Sequence, residues 1–154
     1  MDADHQQSNF SHLDSSGRAR MVDVGHKAVQ RRFASASCRV LCLPSTLAAL
    51  RSDSMPKGDV RTVAKIAGIQ AAKRTDSLIP LCHQIPLSVV NLEIILAADV
   101  VEIVCSVATD AKTGVEMEAL VGASVAALTI YDMCKAVDKT MVISDLRVVE
   151  KTKQ

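Results

Sequence analysis

The chain has 154 residues, 49% hydrophobic but only 2% aromatic, with 18 basic against 17 acidic side chains. That length suits one domain with a sizeable core, which must be built from Ala, Val, Leu and Ile, because Phe10, Phe33 and Tyr131 are its only rings. A formal charge of +1 supplies no basic field for nucleic acid, and so few rings supply no platform for stacking bases.

Residues 1–20, MDADHQQSNFSHLDSSGRAR, lack the apolar run of a secretory signal and read as a polar, mobile tail ahead of a single domain over 21–154. RFASASCRVLCL (32–43) reads as a strand ended by Pro44, and STLAAL (45–50) as a short helix starting from a Ser cap. PKGDV then makes a turn with Asp59 as N-cap. The helix that follows, VRTVAKIAGIQAAKR, places Val60, Val63, Ala64, Ala67 and Ala71 on one face. LIPLCHQIPL (78–87) is a loop, since its two prolines hold it out of regular helix. Strand-like segments over 88–98 and 100–108 are joined by a short Ala-Asp link, as in a hairpin. A long helix is expected over 115–139 after Gly114, and MVISDLRVVE closes the chain as a last strand. Strand, helix, strand, strand, helix, strand is the order of a ferredoxin-like split βαβ sandwich. This is an α+β fold, with an antiparallel sheet and helices packed on one face.

Apolar residues run nearly all round the long helix: Val115, Leu120, Val121, Val125, Leu128, Ile130, Tyr131, Met133 and Val137. One face of a helix in a two-layer fold should be wet, so this pattern predicts a subunit interface and a homo-oligomer. The apolar stretch from Ala119 to Tyr131 is too short for a membrane span. Five cysteines, without paired CxxC spacing, read as reduced and intracellular, which implies a cytoplasmic protein. Adjacent Cys82 and His83 with no second cluster argue against a metal site.

The long helix holds few polar residues, and Glu116, Glu118, Asp132 and Lys135 stand out. Asp132 and Lys135 share a face; their ordinary fate is an ion pair, but they can also reach one ligand. Glu118 lies near the azimuth of Asp132 yet about 21 Å away along the axis. One chain cannot focus both on one atom, whereas two chains packed across a dyad can. Lys57 precedes Gly58 and Asp59 at a helix start, where free N–H groups attract anions. Ser54–Lys57 and Lys112–Gly114 match the SxxK and KTG elements of serine β-lactamases, but the Ser-Asp-Asn element is missing and Pro56 opposes the helix that SxxK needs. His83 sits on an apolar segment, where a lone imidazole is usually buried and structural, but the two prolines fix the backbone outside regular structure and can present it rigidly to a substrate.

MVDV (21–24), KGDV (57–60), AGIQAAKRT (67–75), LIPLCH (78–83), KTGVEMEAL (112–120) and AALTIYDMCKAV (126–137) together resemble the cyclic pyranopterin monophosphate synthase family, molybdenum cofactor biosynthesis protein C. The resemblance implies an enzyme that converts 3′,8-cyclo-7,8-dihydroguanosine 5′-triphosphate to cyclic pyranopterin monophosphate and diphosphate, with no cofactor. It implies a hexamer, a trimer of dimers, with the active site between two subunits. Carried over by residue, it places the catalytic acid/base at Asp132 and the site lysines at Lys57 and Lys135. Substrate contacts fall on Leu81, Cys82, His83, Met117 and Glu118, and Glu116 joins them as a neighbour on the same helix turn. The chain departs from the family pattern at Gln84, where a proline is usual, at Pro56, where a His is common, and in a short tail ending KTKQ. The competing class is a non-catalytic ligand-sensing module, which leaves Lys57, His83 and Asp132 unexplained.

Overall fold

Small residues on alternate positions decide how the central strand packs. In the computed structural model, which describes residues 16–154, β1 (Gln30–Leu41) buries Ala34, Ala36, Cys38 and Val40 on one face. Most of the tail expected over 1–20, together with Phe10, lies outside the described residues. The remaining elements are α1 (Pro44–Arg51), α2 (Val60–Ala72), α3 (Thr75–Leu78), β2 (Val89–Leu96), β3 (Val100–Ala111), α4 (Glu116–Cys134) and β4 (Val142–Lys153). The strands form one antiparallel sheet in the order β2-β3-β1-β4. The fold is ferredoxin-like, α+β, as the order of elements predicts. The β2–β3 hairpin closes through Ala97 N to Val100 O at 2.9 Å.

Local details depart from the expected ones. Pro44 opens α1 instead of merely ending the strand, because its missing N–H would be unbonded in a first helical turn anyway. The N-cap position is therefore Leu43, not Ser45. Asp59 does cap α2, accepting from Thr62 N at 3.0 Å. The hydroxyl of Thr62, and then that backbone bond, hold the Asp59 carboxyl below its ordinary value. The buried face of α2 is Val60, Ala64, Gly68, Ala71 and Ala72, while Val63 is 44% exposed. Helix α3, inside a stretch with no readable period, was not expected; the Thr75 hydroxyl donates to Ala72 O and ties it to the end of α2. Helix α4 ends at Cys134, short of 139, and in the turn beyond it Val137 N and Asp138 N both donate to Cys134 O.

The rotated face of α2 has a steric cause. A Cβ on Gly68 would stand 2.7 Å from Gly122 O, and one on Gly122 would stand 2.6 Å from Cys105 Sγ. The α2 and α4 backbones thus meet at two glycines, flanked by Ala72 and Ala126. A core without large side chains is filled by bringing backbones together. Gly68→Ala should cost about 1–3 kcal/mol by overpacking, read as a lowered midpoint in urea with unchanged slope.

This packing also accounts for the apolar character of α4. It rests on β1 and β3 on one side and on α2 on another, so ten of its residues are buried within a single chain. By length and composition α4 is apolar enough to cross a membrane, longer than the 119–131 stretch suggested, but half of that window is buried inside the fold. Leu128, by contrast, is 57% exposed. On β4, at the sheet edge, Val142, Leu146, Val148 and Val149 are exposed as well.

Candidate active site

The two ends of α4 carry two different clusters. At its C-terminal end the Asp132 carboxylate is held by two lysines: Lys135 Nζ lies 2.7 Å from Oδ1 and Lys57 Nζ 3.0 Å from Oδ2. Lys57 also donates to the backbone carbonyl of Asp132 at 3.1 Å. Carbonyls in the last turn of a helix lack helical partners and attract cations. The expected ion pair between Asp132 and Lys135 is present, and Lys57 joins it from across the fold. At the start of α2, where an anion was expected, the carboxylate of Asp59 accepts from Thr62 N. Lys57 does not pair with Ser54, whose hydroxyl bonds Ser52 and Ala49 O.

The segment that delivers Lys57 is well anchored. Met55 is buried, and Gly58 N bonds Met55 O at 3.0 Å while Gly58 adopts a φ of +88°, which favours glycine. Hydrogen bonds from Lys135 and Lys57 hold the Asp132 carboxyl below the usual range, and the Lys135 ammonium is correspondingly raised by Asp132. Asp132 is therefore an anion at neutral pH, between two ammonium groups placed to donate a proton or to neutralise phosphate. All three side chains remain about half exposed, at 44%, 55% and 53% for Lys57, Asp132 and Lys135. The cluster is open to a ligand.

At the N-terminal end of α4 lies a cavity of about 440 Å³. It is lined by all six expected substrate contacts, Leu81, Cys82, His83, Glu116, Met117 and Glu118. The loop that brings Cys82 and His83 there is held by Thr109, whose hydroxyl donates to Pro86 O at 2.5 Å, and by Cys82 N bonding Ile79 O. His83 Nε2 donates to Val22 O at 2.7 Å. Val22, Val24 and Lys27 join the lining, residues to which the sequence reading gave no role even though MVDV was among its motifs. Burial pushes the Glu118 carboxyl up, with Glu116 and Asp76 adding to it. Glu116 pairs with Lys151 near the end of β4.

Other features are less apt for chemistry. A groove of about 480 Å³ between α2 and β2 contains none of these residues, and its Arg61 already donates through Nη2 to both carboxylate oxygens of Asp53. The five cysteines are free thiols. Burial pushes Cys105 up to about 12 and Cys38 and Cys134 to about 11, which leaves them packed and unreactive. Asp132 and Glu118 belong to one unbroken helix and, 14 residues apart, are separated by about 21 Å. Within one chain the two clusters do not meet.

A model of the MoaC family matches residues 21–154. The chain is 58% identical over 144 residues to the cyclic pyranopterin monophosphate synthase of Chloroflexus aggregans, covering 92% of this chain and 87% of that one. It is 55% identical over 146 residues to the protein of the same name from Streptomyces avermitilis, covering 95% and 86%. Against a molybdenum cofactor biosynthesis bifunctional protein of Chlorobaculum tepidum it is 57% identical over 143 residues, or 93% of this chain but only 46% of that longer relative.

Proposed function

The chain belongs to the MoaC family and its reaction is the synthesis of cyclic pyranopterin monophosphate in molybdenum cofactor biosynthesis; from that premise we propose that Lys57, Asp132 and Lys135 carry its acid–base chemistry. The observation behind this is the single carboxylate held between two ammonium groups, half open to solvent. The substrate is a small nucleotide-derived molecule, which we take to be 3′,8-cyclo-7,8-dihydroguanosine 5′-triphosphate. Opening its purine ring and closing a cyclic phosphate require proton transfers at several atoms, work for Asp132 and a lysine. Expelling diphosphate develops negative charge, which the lysines are placed to offset. His83, Cys82, Leu81, Glu116, Met117 and Glu118 hold the rest of the molecule, and no cofactor takes part.

A complete site then needs two chains. β4 starts just beyond the turn bearing Lys135 and ends beside Glu116, so it runs back along α4. It is an edge strand with Leu146, Val148 and Val149 exposed, and Leu128 of α4 is exposed as well, a combination that isolated chains normally avoid. A second copy packed there about a dyad perpendicular to α4 sets the two α4 helices antiparallel. The Asp132 end of one copy then faces the Glu118 end of the other. We take the working unit to be 21–154, assembled as a trimer of such dimers in the cytoplasm.

Incubation of the purified protein with the cyclised nucleotide should release diphosphate and cyclic pyranopterin monophosphate stoichiometrically. Sedimentation at micromolar concentration should show a species several times the 16.5 kDa chain. Absence of diphosphate release, or a monomer that is fully active, would count against the reading.

A further inference from the structure

Asp138 lies in the turn after α4, three residues beyond Lys135, and is 1% exposed. Its carboxylate accepts four hydrogen bonds. Oδ2 accepts from Leu43 N at 2.8 Å and from the Thr46 hydroxyl at 3.0 Å. Oδ1 accepts from Thr140 N at 2.9 Å and from the Thr140 hydroxyl at 2.7 Å. Leu43 is the N-cap position of α1 and offers no capping side chain of its own. A carboxylate from far along the chain thus satisfies the start of α1, where an anion is also favoured by the helix dipole.

Both site lysines trace back to this clamp. Lys135 is the C-cap residue of α4, on a turn fixed on one side by Cys134 O and on the other by Asp138. Lys57 hangs from the segment that leaves α1, whose course is set by Ser52 N to Ala48 O, Ser54 N to Ala49 O and buried Met55. We propose that Asp138 is a positioning residue for the reaction: by locking the start of α1 to the end of α4, it holds Lys57 and Lys135 on opposite oxygens of Asp132. This rests on the reading of those three residues as the reacting groups. An ionised carboxylate is acceptor-only and has sites for all four donors, whereas an amide would turn its NH2 toward two of them. Burial opposes ionisation of Asp138, but the bonds from Leu43, Thr140 and Thr46 outweigh it and hold the carboxyl below its ordinary value.

The test is Asp138→Asn in the full-length chain, with fold and assembly checked by circular dichroism and sedimentation. Two quantities are read: the titration of the Asp132 carboxyl by carbon-13 NMR without substrate, and kcat and KM for diphosphate release. Asp132 is faced by Lys57 from the turn before α2 and by Lys135 from its own helix end, and its low value depends on both. The Asp132 midpoint should rise toward the ordinary carboxylate range, and kcat should fall on the order of tenfold to hundredfold through misplacement of the lysines, with KM moving far less. Thr46→Val, which removes one of the two ties to α1 and leaves that from Leu43 N, should move both quantities the same way by less, and it decides the matter if the Asn variant does not fold. Either quantity unchanged in the deciding variant overturns the proposal. Full activity in Lys57→Ala and Lys135→Ala would instead sink the site reading, leaving the clamp as architecture alone.

Discussion

Lys57→Ala and Lys135→Ala should each lower kcat on the order of hundredfold or more, as expected for loss of a charged transition-state contact in a preorganised site. Melting temperature and assembly should stay the same. Both amines are about half exposed, and ion pairs that water can reach contribute little to folding. The pH profile adds a second reading. Lys135 and Lys57 hold the Asp132 carboxyl below the usual range, so as a base it works above that value and fails as pH falls through it. Removing either lysine lifts the carboxyl, and the acid limb of kcat/KM should move to higher pH in whatever activity remains. Steady-state diphosphate release across pH checks both claims. Near-normal turnover in one variant would show that its lysine merely neutralises Asp132.

The second large effect is the rescue of two dead proteins by each other. Asp132→Ala and Glu118→Gln should each be inactive alone, because each spoils both sites of a dimer. Random mixing of two inactive chains makes half the dimers hybrids, each with one intact site, so activity should return to about a quarter of the wild-type level in a twofold assembly. Glu118→Gln is the better partner for this purpose. Burial raises the Glu118 carboxyl, so the charged form weakens the fold as pH rises through that raised value, and the amide avoids the cost at neutral pH. The variant should be at least as stable as the parent there. Mixed oligomers that stay inactive, with subunit exchange shown by mass spectrometry, would place each site within one chain.

Much of the architecture was legible along the chain because it is periodic. RFASASCRVLCL ahead of Pro44 reads as the strand found over Gln30–Leu41, and Asp59 ahead of Val60 marks a helix start. Both signals are local, set by side-chain direction and by orphan N–H groups. The misses are local features overruled from afar. The start of α1 takes its cap from Asp138, 95 residues further along the chain. The face of α2 is rotated by the approach of Gly122 to Gly68. No window of sequence containing only one partner carries such information.

The candidate site divides in the same way. The sequence by itself determined which residue types are available for chemistry, the ferredoxin-like order of elements, and the family, because long ordered motifs such as KTGVEMEAL and AALTIYDMCKAV survive as strings. It also determined that Glu118 and Asp132 are too far apart to serve one atom, since helical rise is a constant of the backbone. Only the tertiary structure decided that Lys57, 75 residues before Asp132, shares that carboxylate with Lys135. Only it showed that Val22 meets His83 across 61 positions, and that the six expected contacts line one cavity. The reason is physical. Rise, pleat and capping act between near neighbours and are written in residue order, whereas a site is made where distant segments are pressed together by burial of apolar surface, a force that has no direction along the chain.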